Sequence, residues 1–138
     1  MSYMVFHSDG DKCWYWRGKR HREGGPAVVN SDGGEYWYKH GELHREDGPA
    51  VVLADGSKCW YLNGKCHRGD GPAVVYPDGS EYWVNGERHR EDGPAVVCSD
   101  GSGIWYLGGK CIDHMVDNFK ELWSRLVLEY RVKEVLKS

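Results

Sequence analysis

Short runs of aromatic and β-branched residues alternate with polar, glycine-bearing breaks from residue 9 to residue 112. One stretch shows the pattern: Lys58-Cys59-Trp60-Tyr61-Leu62, a break at Asn63-Gly64, Lys65-Cys66-His67-Arg68, a second break at Gly69-Asp70-Gly71-Pro72, then Ala73-Val74-Val75-Tyr76. The pattern repeats. Asp-Gly recurs at Asp9, Asp32, Asp55, Asp78 and Asp100, in steps of 23, 23, 23 and 22 residues. Trp14, Trp37, Trp60, Trp83 and Trp105 follow with the same steps, and His-Arg recurs at His21, His44, His67 and His89. Gly-Pro-Ala-Val-Val closes four units, from Gly25, Gly48, Gly71 and Gly93, and the fifth unit lacks it. A unit this short cannot bury a core alone, so the units must stack.

Asp-Gly and Asn-Gly between such runs accept positive φ and mark hairpin turns. Each unit therefore predicts two strands. The first runs around the tryptophan. The second covers the His-Arg and Ala-Val-Val runs, bent at the proline-containing break because proline cannot donate to a ladder. Residues 1–8 predict an extra strand that starts the array. The short fourth unit predicts a register change, with one residue lost between Trp83 and Gly86. Side-chain alternation puts Trp14, Trp37, Trp60, Trp83 and Trp105 on one face, and Cys13, Tyr36, Cys59, Tyr82 and Ile104 on the other.

The pattern changes at Asp113. Residues 113–138 contain no glycine or proline. Apolar residues fall at Val116, Phe119, Leu122, Trp123, Leu126, Val127 and Tyr130, a helical period. Asp113 is the expected N-cap, and Glu121 with Arg125 the expected surface pair. The fold class is all-β: an elongated, single-layer antiparallel meander of stacked β-hairpins over 1–112. A C-terminal amphipathic helix (113–138) is expected to pack on its end and close the open edge.

Composition narrows the function. A net charge of −3 argues against long nucleic acid as partner. The five cysteines form no Cys-x-x-Cys and share repeat positions with Tyr, Ile, Leu and Arg. They read as reduced thiols in a cytoplasmic protein, and no stretch is long and apolar enough for a membrane span.

The string Asn63-Gly64-Lys65-Cys66-His67, with its β run before Asp78-Gly79, resembles the MORN repeat. Arg68 and Gly71-Pro72-Ala73 depart from that repeat, as in divergent bacterial or phage antitoxin-like versions. The resemblance implies stacked hairpins and roles in protein interaction, dimerisation and scaffolding. It implies no catalytic residues.

The candidate chemistry is dispersed. His-Arg-Glu-Asp (His44 to Asp47, His89 to Asp92) occurs as copies, whereas a catalytic centre needs one asymmetric constellation. Equivalent histidines on rungs ~10 Å apart cannot share one ion with bonds of ~2.0–2.1 Å, so no metal or other cofactor is expected. Asp47, Asp70 and Asp92 read as turn residues bonding backbone amides. The arginines read as partners of acidic residues in neighbouring units. The candidate binding residues are Trp37, Trp60, Trp83, Trp105, Arg45, Arg68 and Arg90, because Trp and Arg dominate interface hot spots. The expected function is non-enzymatic: binding another protein, as inhibitor or scaffold, with a second copy of the chain as a further candidate partner. The alternative is sequestration of a nucleotide or other small ligand in an aromatic-arginine groove, and a small hydrolase is a third reading.

Overall fold

The computed structural model describes residues 1–137. Ser138, the last residue of the expected helical segment, lies outside the described residues. The chain forms an open antiparallel meander that ends in a helix. Its main sheet starts with Tyr3–Phe6, which pairs with Lys12–Trp16. Thereafter each unit adds two strands: Val28–Val29 and Glu35–Tyr36, then Val51–Val52 and Lys58–Cys59, then Val74–Tyr76 and Gly79–Glu81, then Val96–Cys98 and Gly103–Leu107.

The turns joining these strands follow from the Asp-Gly pairs. Gly56 N–H donates to Leu53 O at 3.0 Å and Leu53 N–H to Ser57 O at 2.9 Å, with Gly56 at φ 90°. This is a three-residue loop whose glycine takes the left-handed conformation of a bulge. The Asp55 carboxylate accepts from Ser57 N–H at 2.8 Å and tightens it.

The fourth unit differs, and not where the spacing suggested. Tyr76 pairs with Gly79, so the loop is Pro77-Asp78 alone. The residue is lost in the turn, and Gly79 enters the strand where Ser57 stands in the third unit. Every later residue up to Glu81 is thereby displaced: Glu81 matches Cys59, both opposite Val74. Trp83 then matches Tyr61, since Trp83↔Arg88 repeats Tyr61↔Cys66. Tyr82 takes the place of the tryptophan. It donates to Ala95 O, as Trp60 donates to Ala73 O, and it accepts from His89 as Trp60 accepts from His67.

Nor are the His-Arg and Ala-Val-Val runs one bent strand. The chain forks at the tryptophan. Trp60 N–H bonds Ala73 O in the main sheet, while Trp60 O accepts from His67 N–H. The latter bond opens a side ribbon, Tyr61–Leu62 paired with Lys65–Cys66. Its two-residue turn has Asn63 at φ 50° and Gly64 at φ 79°, the doubly left-handed turn that suits strand twist. The ribbons Tyr38–Lys39/Glu42–Leu43 and Trp83–Val84/Glu87–Arg88 are equivalent. Adjacent ribbons are tied by Gly64 N–H to Leu43 O and Arg45 N–H to Tyr61 O.

The register places Trp14, Ala27, Trp37, Ala50, Trp60, Ala73, Tyr82, Ala95 and Trp105 in one row across the sheet. Each alanine is flanked by large rings, and Ala27, Ala50, Ala73 and Ala95 are fully buried. The opposite face carries the parallel row with Cys13, Val28, Val51 and Val74.

The helix spans Phe119–Lys137 and does not start at Asp113. Asp113 instead accepts from Met115 N–H at 2.9 Å in a local turn, and Asn118, at φ 58°, leads into the helix. Arg125 pairs with Glu129 rather than with Glu121. Phe119 and Trp123 pack edge-on against Trp105, and Leu107, Trp123 and Val127 form a buried cluster with Ile112 and Leu126 against it. Trp123 Nε1–H donates to Glu91 O at 2.7 Å, and Arg131 pairs with Glu91. The helix thus covers the last ring of the row, where the fifth unit has no arginine of its own.

Candidate functional site

A His-Arg loop ending in Gly-Pro covers the ring row in each of the first four units, with Asp47, Asp70 and Asp92 in the last three of these loops and Gly24 in the first. Arg45 lies with its guanidinium carbon 3.8 Å from the Trp37 ring centroid, and Arg68 lies 4.0 Å from that of Trp60. Arg22 does the same over Trp14 at 3.9 Å. Because of the displaced register, Arg90 covers Tyr82 at 4.0 Å and not Trp83. Each guanidinium is then fixed from the far side. Arg68 Nη1–H donates to Pro72 O at 3.1 Å and Nε–H to Asp70 at 2.9 Å. Arg45 uses Pro49 O and Asp47, and Arg90 uses Pro94 O and Asp92.

These pairs lie within a unit and not between neighbouring units. The aspartates accept chiefly from guanidinium groups, with the backbone amides of Asp47 and Asp70 adding a smaller contribution. The bond and charge of the arginine hold the Asp47 and Asp70 carboxyls below the usual carboxylate range. A planar five-donor cation suits the place, since it stacks on the ring and still reaches a carbonyl and a carboxylate. The loop glycine explains itself: a Cβ on Gly71 would meet the Arg68 guanidinium carbon at 3.2 Å.

The histidines of the motif link one unit to the next. His21, His44, His67 and His89 each accept at Nδ1 from the N–H of the first turn residue in the following ribbon. The donors are His40, Asn63, Asn85 and Gly108, at 2.9–3.0 Å. A turn amide that would otherwise lack a ladder partner is thereby satisfied. The accepting nitrogen must be unprotonated, so the proton sits on Nε2. There it meets Glu23 at 2.8 Å in the first unit and Glu46 at 3.4 Å in the second. Sequence reasoning passed over this role. Its only trace was the recurrence of a glycine turn 18 or 19 residues after each His-Arg histidine.

The seven expected binding residues therefore divide. Trp37 with Arg45, and Trp60 with Arg68, meet as pairs. Arg90 pairs with Tyr82 instead. Trp83 stands off the row in the fourth ribbon, donating Nε1–H to Glu81 at 3.1 Å with Arg88 beside it. Trp105 is covered by the helix. The rings are not a bare strip, since the face on which a base would stack is occupied by an arginine or by Phe119 and Trp123. The arginine side chains at 45, 68 and 90 are only 24%, 25% and 23% exposed, while their aspartates are 83%, 87% and 87% exposed.

What the face presents is two neighbouring grooves between consecutive loops. One, of about 590 Å³, runs between the Arg45–Asp47 and Arg68–Asp70 loops over Trp60, Leu62 and His67. The next, of about 770 Å³, runs between the Arg68–Asp70 and Arg90–Asp92 loops over Tyr82, Val84 and His89, and the helix adds Tyr130 and Arg131 to its wall. No family model, curated protein or solved structure matches the chain.

Among the described residues no three His, Cys, Asp or Glu side chains gather as a metal set. All five cysteines are free. Burial raises the Cys59 thiol and pushes Cys66 up to about 12, with Glu81 adding to the rise, so neither is a ready nucleophile at neutral pH. No helix of the structure is long and apolar enough to cross a membrane.

Proposed function

We propose that the chain is a non-enzymatic protein-binding module, and that it holds an extended, basic segment of its partner along the row of loops. The observation that carries this reading is that two successive grooves share an aromatic floor and a carboxylate rim, although the helix adds Arg131 to the second. A periodic site recognises a periodic ligand. Successive units are spaced by two strands, ~10 Å, close to the rise of three extended residues at ~3.3 Å each. Each groove offers an apolar floor, such as Trp60 and Leu62, and a rim of exposed carboxylates at Asp47, Asp70 and Asp92. A Lys or Arg at every third position of the segment would meet one carboxylate per unit. The likeness of the turns to MORN repeats supports the same class of function, and such a module acts on its partner by occupying it, as inhibitor or scaffold.

The test is fluorescence anisotropy with a labelled peptide carrying Lys at every third position, against a scrambled peptide of equal composition. Asp→Asn at 47, 70 and 92 keeps an acceptor for each arginine and removes the charge. The ordered peptide should bind more tightly, and the triple variant should lose at least about tenfold. Equal binding of both peptides, or an unaffected triple variant, would sink this reading.

A further inference from the structure

The arginines of the chain fall into two groups. Arg45, Arg68, Arg88, Arg90, Arg125 and Arg131 each pair with a carboxylate, whereas Arg17, Arg20 and Arg22 pair with none among the described residues. All three of the latter belong to the first unit. Arg22 stacks on Trp14 as its counterparts stack on their rings, but Gly24 stands where Asp47 supplies a carboxylate to Arg45. Arg17, Lys19, Arg20 and Lys39 are exposed.

The turns of the first two ribbons carry basic residues where the third and fourth carry asparagine. Arg17 at φ 51° and His40 at φ 50° hold the places of Asn63 and Asn85. Asparagine accepts that conformation more easily than arginine does. An arginine held there is explained by something outside the turn. Its guanidinium carbon lies 4.3 Å from the centroid of Trp16, the ring that stands in place of Leu62. His40 meets the same ring edge-on at 5.3 Å. Between the two ribbons lies a hollow of about 520 Å³, walled by Lys19, Arg20, Tyr38, His40, Gly41 and Glu42.

We propose that the tips of the first two ribbons bind an acidic segment of a protein, with Arg17, Lys19 and Arg20 receiving its Asp or Glu carboxylates. The partner is argued from charge. Four of residues 17–22 are Lys or Arg in a protein of net charge −3, so the positive field is local to this end. A guanidinium without a carboxylate of its own presents a fork that matches one in two parallel bonds.

A compact anion such as phosphate fits less well, because the amides that would converge on it are taken. His40 N–H donates to His21 Nδ1 and Gly41 N–H to Arg20 O. Two acids also stand among the cations: Glu23 near Lys39 and His40, and Glu42 in the wall of the hollow. A segment whose carboxylates are spaced can avoid both, whereas a nucleic acid strand is charged at every step. The site lies apart from the loop grooves between Arg45 and Asp92, and its failure would leave the proposed binding of a basic segment untouched.

Fluorescence anisotropy of a labelled peptide of alternating Glu and Ser tests it, with the full chain at low and at physiological ionic strength. The peptide should bind, and added salt should weaken it. Arg17→Asn with Lys19→Gln should lose at least about tenfold. Arg17→Asn installs the residue of the later turns, so circular dichroism should be unchanged. Arg20→Gln should weaken binding as well, and keeps the test open if the double variant misfolds. Lys58→Gln with Lys120→Gln, which removes two exposed charges elsewhere, should bind like the parent. No binding of the peptide overturns the proposal. So do tip variants that bind like the parent and a control that loses as much as they do. An oligouridylate of equal charge that binds more tightly than the peptide overturns the choice of a protein partner.

Discussion

Replacing Arg68 by alanine tests what holds a unit closed. In the structure its guanidinium lies 4.0 Å from the Trp60 centroid and donates to Pro72 O at 3.1 Å. A partly desolvated cation over tryptophan contributes about 1 kcal/mol. A hydrogen bond from a charged donor to a carbonyl contributes about 1.5 kcal/mol. The contact with Asp70 adds little to this sum, because that carboxylate stands in water and its pull on the arginine is screened. The expected loss is therefore about 2.5 kcal/mol, a lowering of the urea midpoint by roughly 1.5 M for a slope near 1.5–2 kcal/mol per M.

Tryptophan fluorescence and far-ultraviolet circular dichroism should report the same midpoint. Arg68→Lys keeps the charge but loses the planar fork that spans ring and carbonyl, so it should recover less than half of the loss. Arg125→Ala on the outer helix surface should stay within about 0.5 kcal/mol of the parent. If Arg68→Ala were equally mild, or Arg68→Lys as stable as the parent, the stack would not be the closure of the unit.

Two further outcomes follow from local geometry. Burial lowers the His89 imidazole below its ordinary value, against the opposing pull of Glu91, Glu134 and Glu87, and its Nδ1 must stay unprotonated to accept from Gly108. Its folded form binds a proton less readily than the unfolded chain. This contribution is therefore present above about pH 6.5 and is lost as pH falls through the depressed value. Tm should drop on acidification from pH 7.5 to 5.5, and His89→Asn, which keeps an acceptor but cannot titrate, should flatten that dependence. Gly79→Ala places a Cβ 2.7 Å from the backbone oxygen of Val97, in a strand that cannot retreat. It should cost about 1–3 kcal/mol by denaturation, whereas Gly69→Ala, with nothing within 4 Å, should cost far less.

The sequence by itself determined the meander, the stacking of units and the presence of a helix. These are consequences of short-range chemistry. Asn63-Gly64 and Asp55-Gly56 can close tight reversals because their backbones accept positive φ, and that requirement is visible in any window containing them. The helical period from Phe119 to Tyr130 was equally local, although its start was not. Asp113 bonds its own turn instead, and the helix begins where Phe119 can reach Trp105.

Tertiary structure decided what each repeated side chain does. Removing one residue from the Asp78 turn gave Tyr82 the tryptophan's place and sent Trp83 to the ribbon, because hydrogen-bond register with Ala95 outweighs the identity of the ring. It also turned the arginines inward. An exposed aromatic and arginine strip was a fair expectation for isolated strands, but the proline break folds each guanidinium back over its own ring. The histidine brace spans 18 or 19 residues. A side chain bonded to a backbone amide one unit away becomes readable only when two units lie side by side.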